Sequence, residues 1–129
     1  MKVGIIIGSN ELSRLNFASM YSIIAASNGD DVFVFITMEA VKAFVKGKRE
    51  VKVEEASSRV IKEKEGEDAY INNFKKAKKA GNVKIYACSY ASQLFGLKKE
   101  DYEDIIDEIA GIMTFDNDVY ENSRIISIW

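Results

Sequence analysis

The chain reads as an α/β protein, a three-layer α/β/α sandwich around a four- to five-stranded, mainly parallel sheet. Four short β-branched runs, at 3–7, 32–36, 83–87 and 125–128, are almost continuously apolar, as strands buried on both faces of a parallel sheet are. Segments of helical period lie between them, so strand and helix alternate along the chain. The linking stretches are long enough to act as right-handed crossovers.

Residues 3–7 supply the first strand. A helix follows over 12–27, where Phe17, Met20 and Ile24 fall at i, i+3 and i+7 and Asn28-Gly29 provides a C-terminal stop. After the second strand, 45–66 departs from the pattern. It is rich in Lys and Glu and longer than an ordinary α/β connection, with an exposed helix expected over 54–65. This variable, charged insertion reads as a flap over the crevice, an oligomer contact or a mobile excursion, and its composition favours the last.

Residues 67–80 form the next helix, with Tyr70, Phe74 and Ala77 on one face and Gly81-Asn82 closing it before the third strand. A short helix is expected over 89–95, ending at Gly96, and another over 99–106. Residues 107–111 suggest a brief extra strand, and 112–122 a last helix before the closing strand.

The 129 residues carry a net charge of -2, one cysteine, no histidine and no proline. That length suits a single domain spanning 1–129 with an ordinary core. One cysteine forms no intrachain bridge, and secreted scaffolds of this size usually carry several, so a reducing cytoplasm is the expected setting. The apolar start is shorter than a signal-peptide core. No run reaches the roughly 18 apolar residues a membrane span needs. The mild negative charge gives no attraction to nucleic acid or anionic lipid, and Lys46-Gly47-Lys48-Arg49 reads as a solvated loop.

The absence of histidine removes Ser-His-Asp and Cys-His nucleophile pairs and His-ligated zinc. Neither a dinucleotide fingerprint nor a P-loop occurs, so no nucleotide cofactor is expected. Nothing in the pattern brings two carboxylates across a pocket, and Met20, Met38 and Met113 read as core filler, so no metal is expected either.

In open α/β sheets ligands bind beyond the carboxyl ends of the strands. Three loops meet that description: Gly8-Ser9-Asn10, Thr37-Met38-Glu39 and Cys88-Ser89. Cys88 lies where a buried strand gives way to a helix, and the positive end of the peptide dipole there favours thiolate. It is the leading candidate for chemistry; the competing reading is a small buried hydrophobe. Gly8-Ser9-Asn10 either cradles an anion or forms a turn whose Ser9 or Asn10 caps the next helix. Ser89 and Ser92 either turn toward the sulfur or cap their helix. Apolar residues near helix and chain ends, Phe95, Leu97 and Trp129, suggest a homo-oligomer.

Together these segments resemble a known family. The stretch from Phe17-Ala18-Ser19-Met20 through Asp31-Val32-Phe33-Val34-Phe35-Ile36-Thr37 is similar to the first helix and second strand of the DsrE/DsrF-like (DsrEFH) family. Lys84-Ile85-Tyr86-Ala87-Cys88-Ser89-Tyr90-Ala91 resembles its third strand, cysteine and following helix. Ala110-Gly111-Ile112-Met113-Thr114-Phe115 and Ile125-Ile126-Ser127-Ile128 match its closing elements. The likeness covers nearly everything outside 45–66.

The resemblance implies a cytoplasmic, often homo-oligomeric sulfur-relay protein in which Cys88 carries persulfide sulfur between donor and acceptor proteins. Ser89, Ser9, Asn10 and Thr37 are then candidates for stabilising the anionic persulfide. A single cysteine leaves no two-cysteine relay within the chain. Two alternatives stand beside it. One is a non-enzymatic oligomeric binding or regulatory module with Cys88 in the core. The other is a thiol peroxidase, although peroxiredoxins set their thiolate in a proline-containing motif and this chain has no proline.

Overall fold

The computed structural model describes Met1–Trp129 and contains one five-stranded sheet in the order β4-β3-β2-β1-β5. The strands are β1 (Lys2–Ile7), β2 (Asp31–Ile36), β3 (Val83–Cys88), β4 (Glu108–Ala110) and β5 (Ser123–Ile128). Every neighbouring pair is parallel, with Val3 opposite both Val32 and Arg124, and Ile7 opposite both Ile36 and Ile128. The central strands are mostly apolar because both faces are largely covered: Val3, Ile5 and Ile7 are fully buried, Gly4 is buried on the other side, and the charged Lys2 and Asp31 stand at strand starts.

The helices are α1 (Leu12–Ser27), α2 (Ala56–Lys64), α3 (Ala69–Ala80), α4 (Ser89–Leu94) and α5 (Ile112–Asp118). From β1 to β4 the chain moves steadily in one direction, so right-handed crossovers put α1 and α3 on one face. The return from β4 to β5 passes through α5, on the opposite face. There Phe115 packs against Phe35 with ring centroids 5.5 Å apart. Gly4 makes that packing possible, because a Cβ there would lie 2.9 Å from Phe115 Cζ.

The inner side of α1 is made of Leu12, Leu15, Ala18, Ser19, Ser22, Ala25 and Ala26, all buried. Small side chains let it approach α3 closely, and the Asn73 amide donates to Ser19 Oγ across the seam at 3.1 Å. The periodicity of Phe17, Met20 and Ile24 therefore marks the wrong side. Those three are 55%, 46% and 67% exposed and form the outer face of the helix. Nor are the methionines core filler: Met20 and Met113 are exposed, and Met38 adopts a left-handed φ of 48° beyond β2.

Two further expectations need correction. Over 99–106 there is no helix beyond one tight turn at Lys99–Asp101. Its backbone bonds to 44–46 instead, with Lys46 N–H donating to Asp101 O and Glu103 N–H to Phe44 O, both at 2.8 Å. That arrangement lets Tyr102, Ile105 and Ile106 enter the core.

The 45–66 insertion is fixed by hydrogen bonds and is not a free excursion. Leu12 N–H donates to Lys52 O and Lys52 N–H to Asn10 O, both at 2.9 Å. Glu11 then anchors the start of α2. Its carboxylate accepts from Glu54 N–H (2.9 Å), Glu55 N–H (3.0 Å) and Ser58 Oγ (2.5 Å). Burial alone would raise the Glu11 pKa, but these donors, with Lys52 nearby, hold it below the usual carboxylate value. No helix is long and apolar enough to cross a membrane.

Candidate functional site

All five strands end at the same edge of the sheet, and a cavity of about 490 Å³ opens there on the α5 side. Each strand end but one contributes directly to its lining. Thr37 and Met38 follow β2, Cys88 ends β3 and leads into Ser89 and Tyr90, Gly111 and Ile112 follow β4, and Trp129 follows β5. Ile6 and Phe35 on the sheet surface form the floor. The missing strand end, that of β1, acts from behind: Gly8 makes room for Trp129. A Cβ at Gly8 would lie 2.0 Å from Trp129 Cε3, so only a bare backbone lets the indole occupy this wall.

Cys88 points into the cavity for a reason of register. It shares strand parity with Tyr86, which stands opposite Phe35 and hydrogen-bonds Asp118 of α5, so both side chains face the α5 side. Burial, with the Asp118 carboxylate beside the phenol, pushes the Tyr86 pKa up. Cys88 is 7% exposed, a sulfur recessed in a wall yet in contact with open space.

Cys88 is itself the N-cap of α4. Its Sγ accepts one hydrogen bond, from Ala91 N–H at 3.5 Å. The helix has six residues, so the help it gives an anion is that single N–H and not an extended dipole.

The structure brings Cys88, Ser89 and Thr37 together around one cavity. It does not bring Ser9 and Asn10 there. Ser9 Oγ accepts from Glu11 N–H at 3.0 Å, and the Asn10 side chain donates to Glu50 O at 3.0 Å. The loop after β1 therefore serves as a turn and as the attachment for 45–66. Ser92 is turned away as well, sharing a 2.6 Å hydrogen bond with the buried Tyr102 hydroxyl.

A second cleft, of about 620 Å³, has Asn10 in its lining along with Glu39, Lys42, Arg49, Glu50, Lys52 and Glu67. Its charges are already paired: Lys42 with Glu39 at 3.0 Å and Glu50 at 3.9 Å inside the cleft, and Arg49, Lys52 and Glu67 with Glu103, Glu54 and Lys62 around it. No cluster of three metal-ligating side chains is present.

Sequence reasoning missed Tyr90 and Ile112, gave Trp129 to an oligomer contact, and read Met38 as core filler although it lies in one of the loops singled out. Ile112 and Trp129 were findable, because the rule that locates ligands beyond strand carboxyl ends applies to β4 and β5 as it does to the other strands.

The fold and this strand-end cavity define an α/β protein of the open parallel-sheet class. Within that class, the chain belongs to the DsrE/DsrF-like family, whose model matches residues 1–127. No curated protein sequence matches it. Among solved structures it is similar to a protein of unknown function, MTH1491, from Methanobacterium thermoautotrophicum. The two share 14% identity with a TM-score of 0.70, over 98% of this chain and 97% of that one. At that identity the likeness concerns the fold alone.

Proposed function

We propose that this chain is a sulfur carrier that holds sulfane sulfur as a persulfide on Cys88 and passes it between donor and acceptor thiols. The observation that carries this reading is the position of Cys88 Sγ. It is the one thiol of the chain, set in the wall of a strand-end cavity and touched by a backbone N–H. Family membership supports it in the broader sense of sulfur relay.

The chemistry balances without a cofactor. Cys88 thiolate attacks the terminal sulfur of a persulfide R–S–SH; a new S–S bond forms, the old one breaks, and R–S⁻ leaves with the bonding pair. An acceptor thiolate then attacks the outer sulfur of Cys88–S–SH and releases Cys88. Ser89 and Thr37 line the same cavity and are the hydroxyls assigned to stabilise the sulfur while it carries charge. Such a cycle needs a thiol kept reduced, which suits the cytoplasm.

Intact-mass measurement after incubation with a persulfide donor tests the reading. One sulfur atom is expected on the wild-type protein and none on Cys88→Ser. Equal uptake by the variant refutes the role. Uptake by neither favours the alternative of a binding module with a structural cysteine.

A further inference from the structure

The Cys88 cavity has a property that persulfide transfer does not itself require: among its ten lining residues there is no Lys, Arg, Asp, Glu or His. Ile6, Phe35, Met38, Ile112 and Trp129 make the wall around the sulfur, and hydroxyls come only from Thr37, Ser89 and Tyr90. Cations on neighbouring segments are already committed. Arg14 bonds the Trp129 main-chain oxygen and pairs with Glu55 at 2.6 Å, and Lys42 lies over the Phe95 ring while paired with Glu39. At about 490 Å³ the cavity falls within the small-molecule range of roughly 300–1,000 Å³.

We infer that the donor or acceptor entering this cavity is an uncharged, apolar organic thiol or its persulfide, and not an inorganic sulfur anion or a charged thiol. The inference deepens the sulfur-carrier reading and rests on it for the transfer step. A dianion such as thiosulfate would lose its hydration against hydrocarbon and find no cation to replace it. A neutral R–S–SH places R against Ile112, Trp129 and Phe35, leaving its terminal sulfur beside Cys88 Sγ. The transfer is the one written above, with R–S⁻ leaving through the open mouth and taking a proton from water. Polar material then never has to cross the apolar wall in charged form on the way in.

Trp129 is the sole tryptophan and part of the cavity wall, so its emission reports occupancy. Binding is tested in Cys88→Ser protein, where transfer cannot occur, with benzyl mercaptan, glutathione and sodium thiosulfate as probes. Benzyl mercaptan is expected to saturate the emission change at a concentration at least about tenfold lower than either charged probe. Ile112→Lys, which places a cation at the exposed mouth, is expected to shrink that ratio about tenfold. In wild-type protein, benzyl persulfide is expected to load Cys88 faster than thiosulfate by a similar factor. If charged probes bind as tightly and load as fast as benzyl ones, the ligand class is wrong and the carrier role survives. If benzyl mercaptan binds preferentially but no donor loads Cys88, the carrier role falls and the apolar ligand preference stands.

Discussion

Gly8 and Trp129 are in direct contact: the indole occupies the space that any side chain at Gly8 would need, 2.0 Å from where a Cβ would stand. The contact joins the end of β1 to the residue after β5 and sets one wall of the Cys88 cavity. Gly8→Ala must therefore move the ring. Trp129 is 56% exposed and can swing outward, so the stability loss is expected at the low end for an overpacking change, about 1 kcal/mol. The larger effect is on the cavity. Tryptophan emission is expected to shift to the red, and sulfur loading of Cys88 to change with it, in a protein that stays folded with its thermal midpoint lowered by only about 3–5 °C.

Glu11 holds the inserted segment through three hydrogen bonds to its carboxylate, from Glu54 N–H, Glu55 N–H and Ser58 Oγ. Those donors favour the ionised form and keep its folded pKa below the unfolded value. Their contribution is thus fully present above the unfolded carboxylate pKa and is lost as pH falls through the folded one. Glu11→Gln is expected to cost about 1–3 kcal/mol at neutral pH in urea denaturation. The gap between variant and wild type should close in acid. Hydrogen exchange at neutral pH should show faster exchange in α2 of the variant while β1 and β2 stay protected.

Ser92 and Tyr102 form a buried hydroxyl pair that ties α4 to the segment leading into β4. Burial raises the Tyr102 pKa, so the phenol stays protonated and can donate. Ser92→Ala leaves that phenol without its partner and is expected to cost about 1–3 kcal/mol. Ser92→Ala with Tyr102→Phe removes both groups, and the double variant should be less destabilised than the two single losses added together. A double-mutant cycle in urea gives the coupling directly.

The strands were legible because burial on both sheet faces leaves apolar, β-branched runs that few other structures produce. Cys88 was legible because the strand before it and the helix after it are both short and clear. Two kinds of feature were not. Ser9 and Asn10 lie in the correct layer of the fold, yet Ser9 Oγ is taken by the local turn to Glu11 N–H, and Asn10 is drawn to Glu50 O by the way 45–66 folds back, which local sequence does not encode. The inner face of α1 was hidden for a different reason. Ala18, Ser19, Ser22, Ala25 and Ala26 are small because α3 is close, so a search for large apolar side chains finds the opposite face.

That opposite face motivates the last prediction. Phe17, Met20 and Ile24 lie on one outward arc of α1, a helix whose single charged residue is Arg14. Together they expose roughly 300 Å² of apolar surface, at the level where a patch usually marks an interaction site. Of the three residues that suggested an oligomer from the sequence, Leu97 is half-buried against the core, Phe95 lies beneath Lys42, and Trp129, though exposed, is part of the Cys88 cavity wall. A second copy docking α1 against α1 about a two-fold axis would cover the patch on both chains at once. The area is well under the roughly 800 Å² per partner of a standard interface, so the dimer is expected at micromolar concentrations and not at nanomolar ones. Light scattering across that range should show the transition, and Phe17→Glu with Ile24→Glu should leave a folded monomer throughout. A wild-type monomer at high micromolar concentration would remove the α1 face as the site of self-association.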